Sequence, residues 1–395
     1  MKKILIVNNG LSGGGIRQSL INLLEEIPFR EYEVDLLLFK DSEFVENNIS
    51  NNKLRVCKEP FLMNLYSTSV KDFIKRNSFV KAMLSAIIKI IVRMLGSKTT
   101  FGILLNITPK TKSYDVAISY SNDIWKEGKL TYFTGVNDYV LKCTRSKEKI
   151  AWIHSDPYKL GFSYKICQKT YEKYDFIVNV SYACKEIFDE IIPEYKKKSK
   201  VVYNMFNIDR IKKQSNIESP FTKKVFHIVT VARLSNYEKR IDRIISCCER
   251  LKREGEFQFQ WHIVGDGKDR DWLKSLSKEK GLDDVIIFEG KKENPYSYMK
   301  SADVVVLSSD FESYGMVITE AFIAGTPVIC TNYPAAQEII VDERNGLLTD
   351  FTENSICDAV YRMVREDSLL IGMRDYILNN KITNKKSREQ LREII

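Results

Sequence analysis

The sequence predicts an α/β protein built from two doubly wound parallel-sheet domains facing each other. Three observations predict it. Short, continuous apolar runs, of the kind a parallel strand buries on both faces, recur from residues 3–7 onward. Each is followed by a stretch of helical periodicity, in the first half of the chain and again in the second. The 395 residues suit two domains, and the polar, basic run 207–222, with Pro220, is the best linker between them. The predicted boundaries are 1–208, 209–375 and a final helix over 376–395 able to pack back on the first domain.

Composition narrows the function classes. The chain is 44% apolar and 29% charged with a net charge of +9, which suits an anionic partner such as a nucleotide, a phospholipid surface or nucleic acid. No aromatic-rich RNA motif and no recognition-helix pattern supports the nucleic acid. Eight cysteines without a Cys-x-x-Cys pair read as reduced, buried thiols of a cytosolic protein. The three histidines are far apart in sequence, so a histidine-based metal site is not expected. The apolar run at the N-terminus is too short for a signal peptide, and no uninterrupted apolar stretch reaches the roughly 18 residues of a membrane span.

In chain order, the first strand, 3–7, enters Asn8-Asn9-Gly10-Leu11-Ser12-Gly13-Gly14-Gly15, then an amphipathic helix over 16–27 that stops before Pro28. A second strand, 33–39, closes a βαβ unit. Glycines between a strand's end and a helix start read as a loop that approaches an anionic or sugar ligand. Their spacing is not Gly-x-Gly-x-x-Gly and no acid ends the second strand, which argues against a dinucleotide; the plain alternative is a glycine-rich turn. Residues 60–110 read as an insertion. Within it, 79–95 is strongly apolar, with Lys81, Lys89 and Arg93 gathered on one side at helical spacing, and seven basic residues from Lys71 to Lys98 stand against one acid, Asp72. A basic amphipathic helix of this kind lies in a membrane interface; otherwise it packs its apolar face on the domain. Strands follow at 115–119 and 149–153. The latter ends in His154-Ser155-Asp156-Pro157, which makes His154 a candidate site residue. A strand within 174–181, a helix from near Ser181 and a strand over 200–204 complete the first half.

The second half restarts the pattern. Strand 226–232 leads to Arg233 and Lys239 before a helix over 241–254. Strand 257–264 ends in Gly265-Asp266-Gly267, ahead of a helix over 269–280. Strand 285–288 runs into Glu289-Gly290-Lys291-Lys292, and strand 303–307 delivers the loop, helix and strand of 309–330. Short strands at 328–330 and 346–348 precede a helical tail from Thr352. Between Gly315 and Gly325 the only polar side chains are Thr319 and Glu320, so that helix is buried nearly all round and Glu320 faces either a basic residue or a ligand.

Ligands of an open parallel sheet bind outside the carboxyl ends of its strands. There the second domain places Arg233, Lys239, Gly265, Gly267, Lys291, Glu312 and the run Ser313-Tyr314-Gly315. Two cations near a helix N-terminus favour a diphosphate, and Gly315 lets backbone amides approach it at the start of the Met316 helix. Glu320, one turn on, is placed to accept both hydroxyls of a ribose. The plain alternative for Arg233 and Lys239 is a solvated pair at a helix start.

These residues together resemble the retaining glycosyltransferases of family 4, whose two-domain architecture is called GT-B. The resemblance rests on Val231-Ala-Arg-Leu-Ser with a lysine soon after, Gly265-Asp-Gly, Phe288-Glu-Gly, Ala302-Asp with Val-Leu-Ser, Glu312 and Glu320 with seven residues between, and Gly325-Thr-Pro-Val. It is strong over 226–350. Over 1–205 it is carried by the glycine loop, Trp152-Ile-His-Ser-Asp156 and Tyr174-Asp-x-Ile-Val. The resemblance implies that Arg233 and Lys239 neutralise the donor diphosphate in place of a divalent metal, with no cofactor required. It implies that Glu320 holds the ribose and that Glu312, with the 313–315 backbone, contacts the transferred sugar. His154 of the first, acceptor-binding domain would meet that sugar, and Gly14 and Gly15 would close over sugar and phosphate. Two departures stand out: Ser313-Tyr314 where the family more often has Gly-Phe, and Arg240 where a glycine is common. The run Asn294-Pro-Tyr-Ser-Tyr looks like the subset that builds bacterial surface polysaccharides such as capsule and exopolysaccharide.

The expectation is therefore a metal-independent retaining hexosyl- or N-acetylhexosaminyltransferase. Its donor would be a nucleotide diphosphate sugar, UDP-linked, and its acceptor a glycan or polyprenyl-linked glycan. The enzyme would be cytoplasmic and peripheral on the inner face of the membrane, held there through 71–98. Two other readings are distinguishable. A UDP-sugar 2-epimerase of the same shape would epimerise its nucleotide sugar without an acceptor. A non-catalytic basic membrane-binding protein would show steep salt dependence and no nucleotide affinity.

Overall fold

The computed structural model describes residues 1–11, 14–28, 30–42, 54–222 and 224–395; Ser12 and Gly13 of the glycine loop lie outside them. The chain divides into two units, one of Met1–Phe206 with Asn384–Ile395, the other of Asn207–Thr383.

The first unit begins with β1 (Lys2–Asn8), α1 (Gly15–Glu26), β2 (Tyr32–Leu38) and β3 (Leu54–Val56). A helical insertion follows: α2 (Phe61–Ser67), α3 (Val70–Lys75), α4 (Phe79–Leu95) and α5 (Ser97–Asn106). Then come β4 (Ser113–Ser119), β5 (Ile124–Lys126), β6 (Lys129–Tyr132), α6 (Val136–Cys143), β7 (Arg145–Ile153), α7 (Tyr164–Tyr171), β8 (Phe176–Asn179), α8 (Tyr182–Ile191) and β9 (Ser199–Val201). The parallel sheet runs in the order β3-β2-β1-β4-β7-β8-β9. Its centre is fully buried, as the continuous run Ile4 to Val7 requires. β5 and β6 form a separate antiparallel hairpin that the sequence does not announce, because strands this short show no periodicity.

The second unit contains α9 (Ile208–Ser215), β10 (Phe226–Val231), α10 (Asn236–Lys239), α11 (Ile241–Glu254), β11 (Phe259–Val264), α12 (Arg270–Glu279) and β12 (Ile286–Gly290). It continues with α13 (Tyr296–Ser301), β13 (Val304–Leu307), α14 (Met316–Ala324), β14 (Val328–Thr331), α15 (Pro334–Gln337), β15 (Gly346–Thr349), α16 (Glu353–Arg365) and α17 (Asp367–Asn379). Its sheet is parallel in the order β12-β11-β10-β13-β14-β15. In both sheets the winding reverses beside the first strand, between β1 and β4 and between β10 and β13. Those reversals are the crevices where doubly wound sheets take ligands.

Three expectations need correction. The stretch 207–222 is not simply a linker. Asn207 caps α9 by accepting from the Arg210 amide, and Ile211 is buried as α9 packs on α13 and α14. One apolar stripe suffices to dock an otherwise polar helix. The change of unit near the C-terminus falls at 384 rather than 376. Met373 and Ile377 anchor α17 in the second unit, and Asn384 then binds both backbone groups of Phe206. The last helix, α18 (Lys385–Arg392), pairs Arg388 with Glu26 and Arg392 with Glu31, so it belongs to the first unit.

The third correction concerns α4. Its bounds match the predicted helix, but the reading that packs its whole apolar face on the domain does not hold. Lys89 turns inward: its ammonium donates to the Tyr66 carbonyl and stands over the Tyr66 ring. The buried positions are Ala82, Ser85 and Ile88, with Leu84 and Val92 partly buried against the core, while Phe79, Val80, Met83, Ile87, Ile90 and Met94 are exposed. Among the described residues, no helix is long and apolar enough to cross a membrane.

Candidate active site

At the reversal of the second sheet, β10 ends at Val231 and the chain turns through Arg233 into α10. Across from it β13 ends at Leu307 and the chain turns through 308–315 into α14. The two turns are laced together. Ser308 Oγ donates to the carbonyls of Lys239 and Arg240, the Asp310 amide donates to the Glu238 carbonyl, and Arg243 binds both the Ser308 carbonyl and Asp310. Lys239 and Glu312 form an ion pair across this seam, with side chains only 16% and 19% exposed, and Ser309 Oγ also donates to Glu312. Arg233 pairs with Glu238 but its side chain is 63% exposed. Such a pair is worth at most about 1 kcal/mol. Replacing Glu238 with Gln should therefore change donor KM by less than about five-fold, a small effect that steady-state kinetics resolves.

Arg240 explains one sequence departure. It sits in the left-handed region at φ 48°, a conformation that favours glycine. Its guanidinium is held by Asp242, which is also the main influence raising its pKa, and by Asp310. Those contacts offset a backbone cost of about 1–2 kcal/mol.

Gly265 and Gly267 act through close approach. A Cβ on Gly265 would stand 1.8 Å from the Ala232 carbonyl oxygen, and one on Gly267 would stand 2.3 Å from that of Leu234. The 265–267 loop thereby lies directly against the turn that carries Arg233, bonded through Leu234 N–H to the Asp266 carbonyl. Gly267→Ala should lower the stability of the second unit by about 3 kcal/mol, measured by denaturant unfolding. Lys291, the other candidate here, is exposed beyond β12, while Lys292 turns back to Glu289.

α14 starts at Met316 after Gly315, which has φ 82° and no room for a side chain: a Cβ would meet the Tyr333 hydroxyl at 2.7 Å. Ser313 and Tyr314 form the approach, and burial raises the Tyr314 pKa. One turn into the helix Glu320 is buried, 8% exposed, and accepts a hydrogen bond from the Tyr296 hydroxyl at 3.4 Å. Burial pushes its pKa up to about 7, with Tyr296 and then Arg210 acting in the opposite direction. No side-chain cation forms an ion pair with Glu320 among the described residues, so it retains acceptor capacity for a ligand.

In the first unit, His154 follows β7. Its amide donates to Asn122 Oδ1, Asn122 donates to the Trp152 carbonyl, and the Tyr120 ring lies 4.2 Å from the imidazole. The Nε2 atom is sealed from solvent without a partner, and burial lowers the pKa to about 3, so the ring is neutral. Nearby, Ser121 Oγ donates to Asn8 across the reversal between β1 and β4. Gly14, at φ 93° and ψ −177°, adopts a conformation essentially confined to glycine, and open space surrounds the Cβ positions of Gly14 and Gly15.

Sequence reasoning misses several partners. Tyr296, Asp310 and Arg243 hold the site residues, and the Tyr333 hydroxyl is buried without a partner beside Gly315. None carries a spacing signal. Two histidines far apart in sequence meet in the fold. Pairing of β10 with β11 brings His227 Nδ1 to 3.2 Å from His262 Nε2, and His262 bonds Glu289 at 3.0 Å, with Phe221 stacked on both rings. Among the described residues no group of His, Cys, Asp and Glu has a metal-binding arrangement.

Residues 211–381 match the family model for glycosyl transferases group 1. Over 386 residues the chain is 25% identical to the N-acetylgalactosamine-N,N'-diacetylbacillosaminyl-diphospho-undecaprenol 4-alpha-N-acetylgalactosaminyltransferase of Campylobacter jejuni, covering 93% of this chain and 92% of that one. It is 31% identical over 121 residues to the lipopolysaccharide core biosynthesis glycosyltransferase LpsD of Rhizobium meliloti, 31% of this chain and 35% of the relative. Its fold is similar to that of Anabaena Alr3699/HepE in complex with UDP-glucose, with a TM-score of 0.67 at 17% identity over 100% of this chain and 99% of that one.

Proposed function

We propose that the chain is a group 1 glycosyl transferase, on the match of residues 211–381 and the similarity of its two Rossmann-like units to the GT-B fold, and that it catalyses the following reaction. The enzyme moves a hexose or N-acetylhexosamine from a UDP-sugar to a glycan or lipid-linked glycan, with retention, in surface polysaccharide synthesis. The observation that carries this reading is the seam at the second sheet's reversal: Lys239 on Glu312, beside a glycine-led helix start, with buried Glu320 one turn beyond.

The roles follow from the chemistry of each group. The diphosphate takes Lys239 and Arg233 from their carboxylates and lies against the 313–315 backbone and the N-terminus of α14. Those cations supply the charge a divalent ion supplies elsewhere, so no metal is required. Glu312, released, accepts hydroxyls of the transferred sugar, and Glu320 accepts the ribose hydroxyls. The bond from C1 to the departing phosphate breaks as a bond from C1 to the acceptor oxygen forms on the same face, and the acceptor proton passes to the phosphate. Stabilising charge on that phosphate is the main catalytic contribution. In the first unit, the unpartnered His154 Nε2 supports a neutral hydrogen-bonding role toward a substrate hydroxyl, and Gly14 and Gly15 leave room for ligand atoms. Similarity to a transferase acting on an undecaprenol-linked substrate supports a lipid-linked acceptor and a peripheral position on the inner membrane face.

A screen of UDP-sugars that follows UDP release with and without a lipid-linked glycan tests the reading. Glu320→Ala should weaken UDP binding at least ten-fold by losing two charge-assisted hydrogen bonds. Unaltered UDP affinity in that variant removes the ribose assignment. An epimerised nucleotide sugar without acceptor would replace transfer with epimerisation.

A further inference from the structure

α4 presents its apolar side to solvent. At 100° per residue, Phe79, Val80, Met83, Ile87, Ile90 and Met94 fall within an arc of about 100°, and all six are exposed, from 46% at Ile87 to 77% at Met94. The opposite arc, with Ala82, Ser85, Ile88 and the inward-turned Lys89, packs on the domain. A helix that buries its small and polar side while exposing six large apolar side chains has an unfilled partner. Ile74 of α3 and Ile103 of α5, on the helices that α4 packs against, are also about half exposed.

We propose that this face inserts into the headgroup region of an anionic phospholipid bilayer. Charge selects the occupant. Lys71, Lys75, Arg76, Lys81, Arg93 and Lys110 are exposed around the patch, and from 61 to 112 the sequence holds one acid, Asp72. A second copy of the chain would bring two such basic rims together, whereas anionic headgroups neutralise them while the apolar arc enters the acyl boundary. The 17-residue helix is about 25 Å long and lies in the plane of the surface. The proposal deepens the transferase reading and rests on it for its consequence, delivery of the second unit's chemistry to lipid-linked acceptors.

The test is co-sedimentation of the full chain with phosphatidylglycerol-containing vesicles and with phosphatidylcholine alone, at low and high salt. Wild type should bind the anionic vesicles. A Met83→Ser, Ile87→Ser, Ile90→Ser triple variant should bind at least about ten-fold more weakly with little change in thermal stability, since all three residues are about half exposed and lie outside the buried core. Lys81→Glu with Arg93→Glu should weaken binding most at low salt. Ile87→Trp should shift its emission to the blue on vesicles and be quenched by brominated lipid. Equal binding by wild type and the triple variant, a tryptophan that stays wet, or a solution dimer abolished by the triple variant would each overturn the proposal. Transfer to a water-soluble acceptor analogue separates the two readings. The triple variant should retain it, and a chain that binds vesicles yet never consumes a UDP-sugar keeps this inference and loses the proposed reaction.

Discussion

Lys239→Ala is expected to lower kcat/KM for transfer by about a thousand-fold or more, the largest effect of any single substitution in this chain. The lysine is poised rather than solvated: its ammonium is mostly buried, its carbonyl is tied by Ser308, and Glu312 holds it across the seam between the turns. In the proposed reaction a diphosphate entering there exchanges one carboxylate for two phosphate oxygens, with charge that grows as the C1–oxygen bond breaks. A cation fixed before the reaction contributes most when charge develops against it in a partly dry site. Arg233→Ala should cost less, about a hundred-fold, because that side chain is largely exposed and must be drawn in from Glu238. The single lysine variant also strands Glu312, so a second variant separates stranding from lost catalysis. Lys239→Ala with Glu312→Gln removes the unpaired carboxylate. If UDP release recovers in that double variant, Lys239 is only an ion-pair partner. Turnover near wild type in both Lys239→Ala and Arg233→Ala would remove the phosphate assignment altogether.

Much of this arrangement is legible in the sequence, and the reason differs by element. The helices over 79–95 and 241–254 are readable to the residue because apolar periodicity runs through them to a clear end, Gly96 and Gly255, both at positive φ. The parallel strands are legible as buried runs such as Ile4 to Val7, which leave a strand no solvent face. Periodicity identifies two faces of a helix but not which one the protein covers, so the inward turn of Lys89 is not readable from it. Nor are contacts set by strand register: His227 and His262 meet only because β10 and β11 are neighbours in a particular alignment. In the site, Glu320 is legible as a lone acid on an apolar helix. The pairing of Lys239 with Glu312 joins residues 73 positions apart and leaves no local trace. Arg240 reads as a departure at a glycine position, and its left-handed backbone supplies the physical reason glycine suits it.

Two buried titrations of opposite sign give the second large effect. Glu320 has a folded-state pKa of about 7 against an ordinary 4.5, raised by burial. Between those values the folded protein holds a proton that the unfolded chain has lost, so stability of the second unit falls as pH rises from about 4.5 to 7. The full drop is of order 3 kcal/mol. His154 works the other way. Its folded pKa of about 3 lies below the ordinary 6.5, also through burial, so the unfolded chain takes up the proton first and stability of the first unit falls as pH drops below 6.5. Denaturant unfolding across pH 4–8 should show Glu320→Gln flattening the high-pH loss and His154→Gln flattening the low-pH loss. The ligand sharpens the test. Ribose hydroxyls donating to Glu320 favour its carboxylate, so UDP binding near pH 6.5 should expel a proton, and affinity should rise as pH climbs toward 7. Calorimetry in buffers of different ionisation enthalpy measures that proton directly. Equal proton release by wild type and Glu320→Gln would mean the ribose lies elsewhere, whatever the stability profile shows.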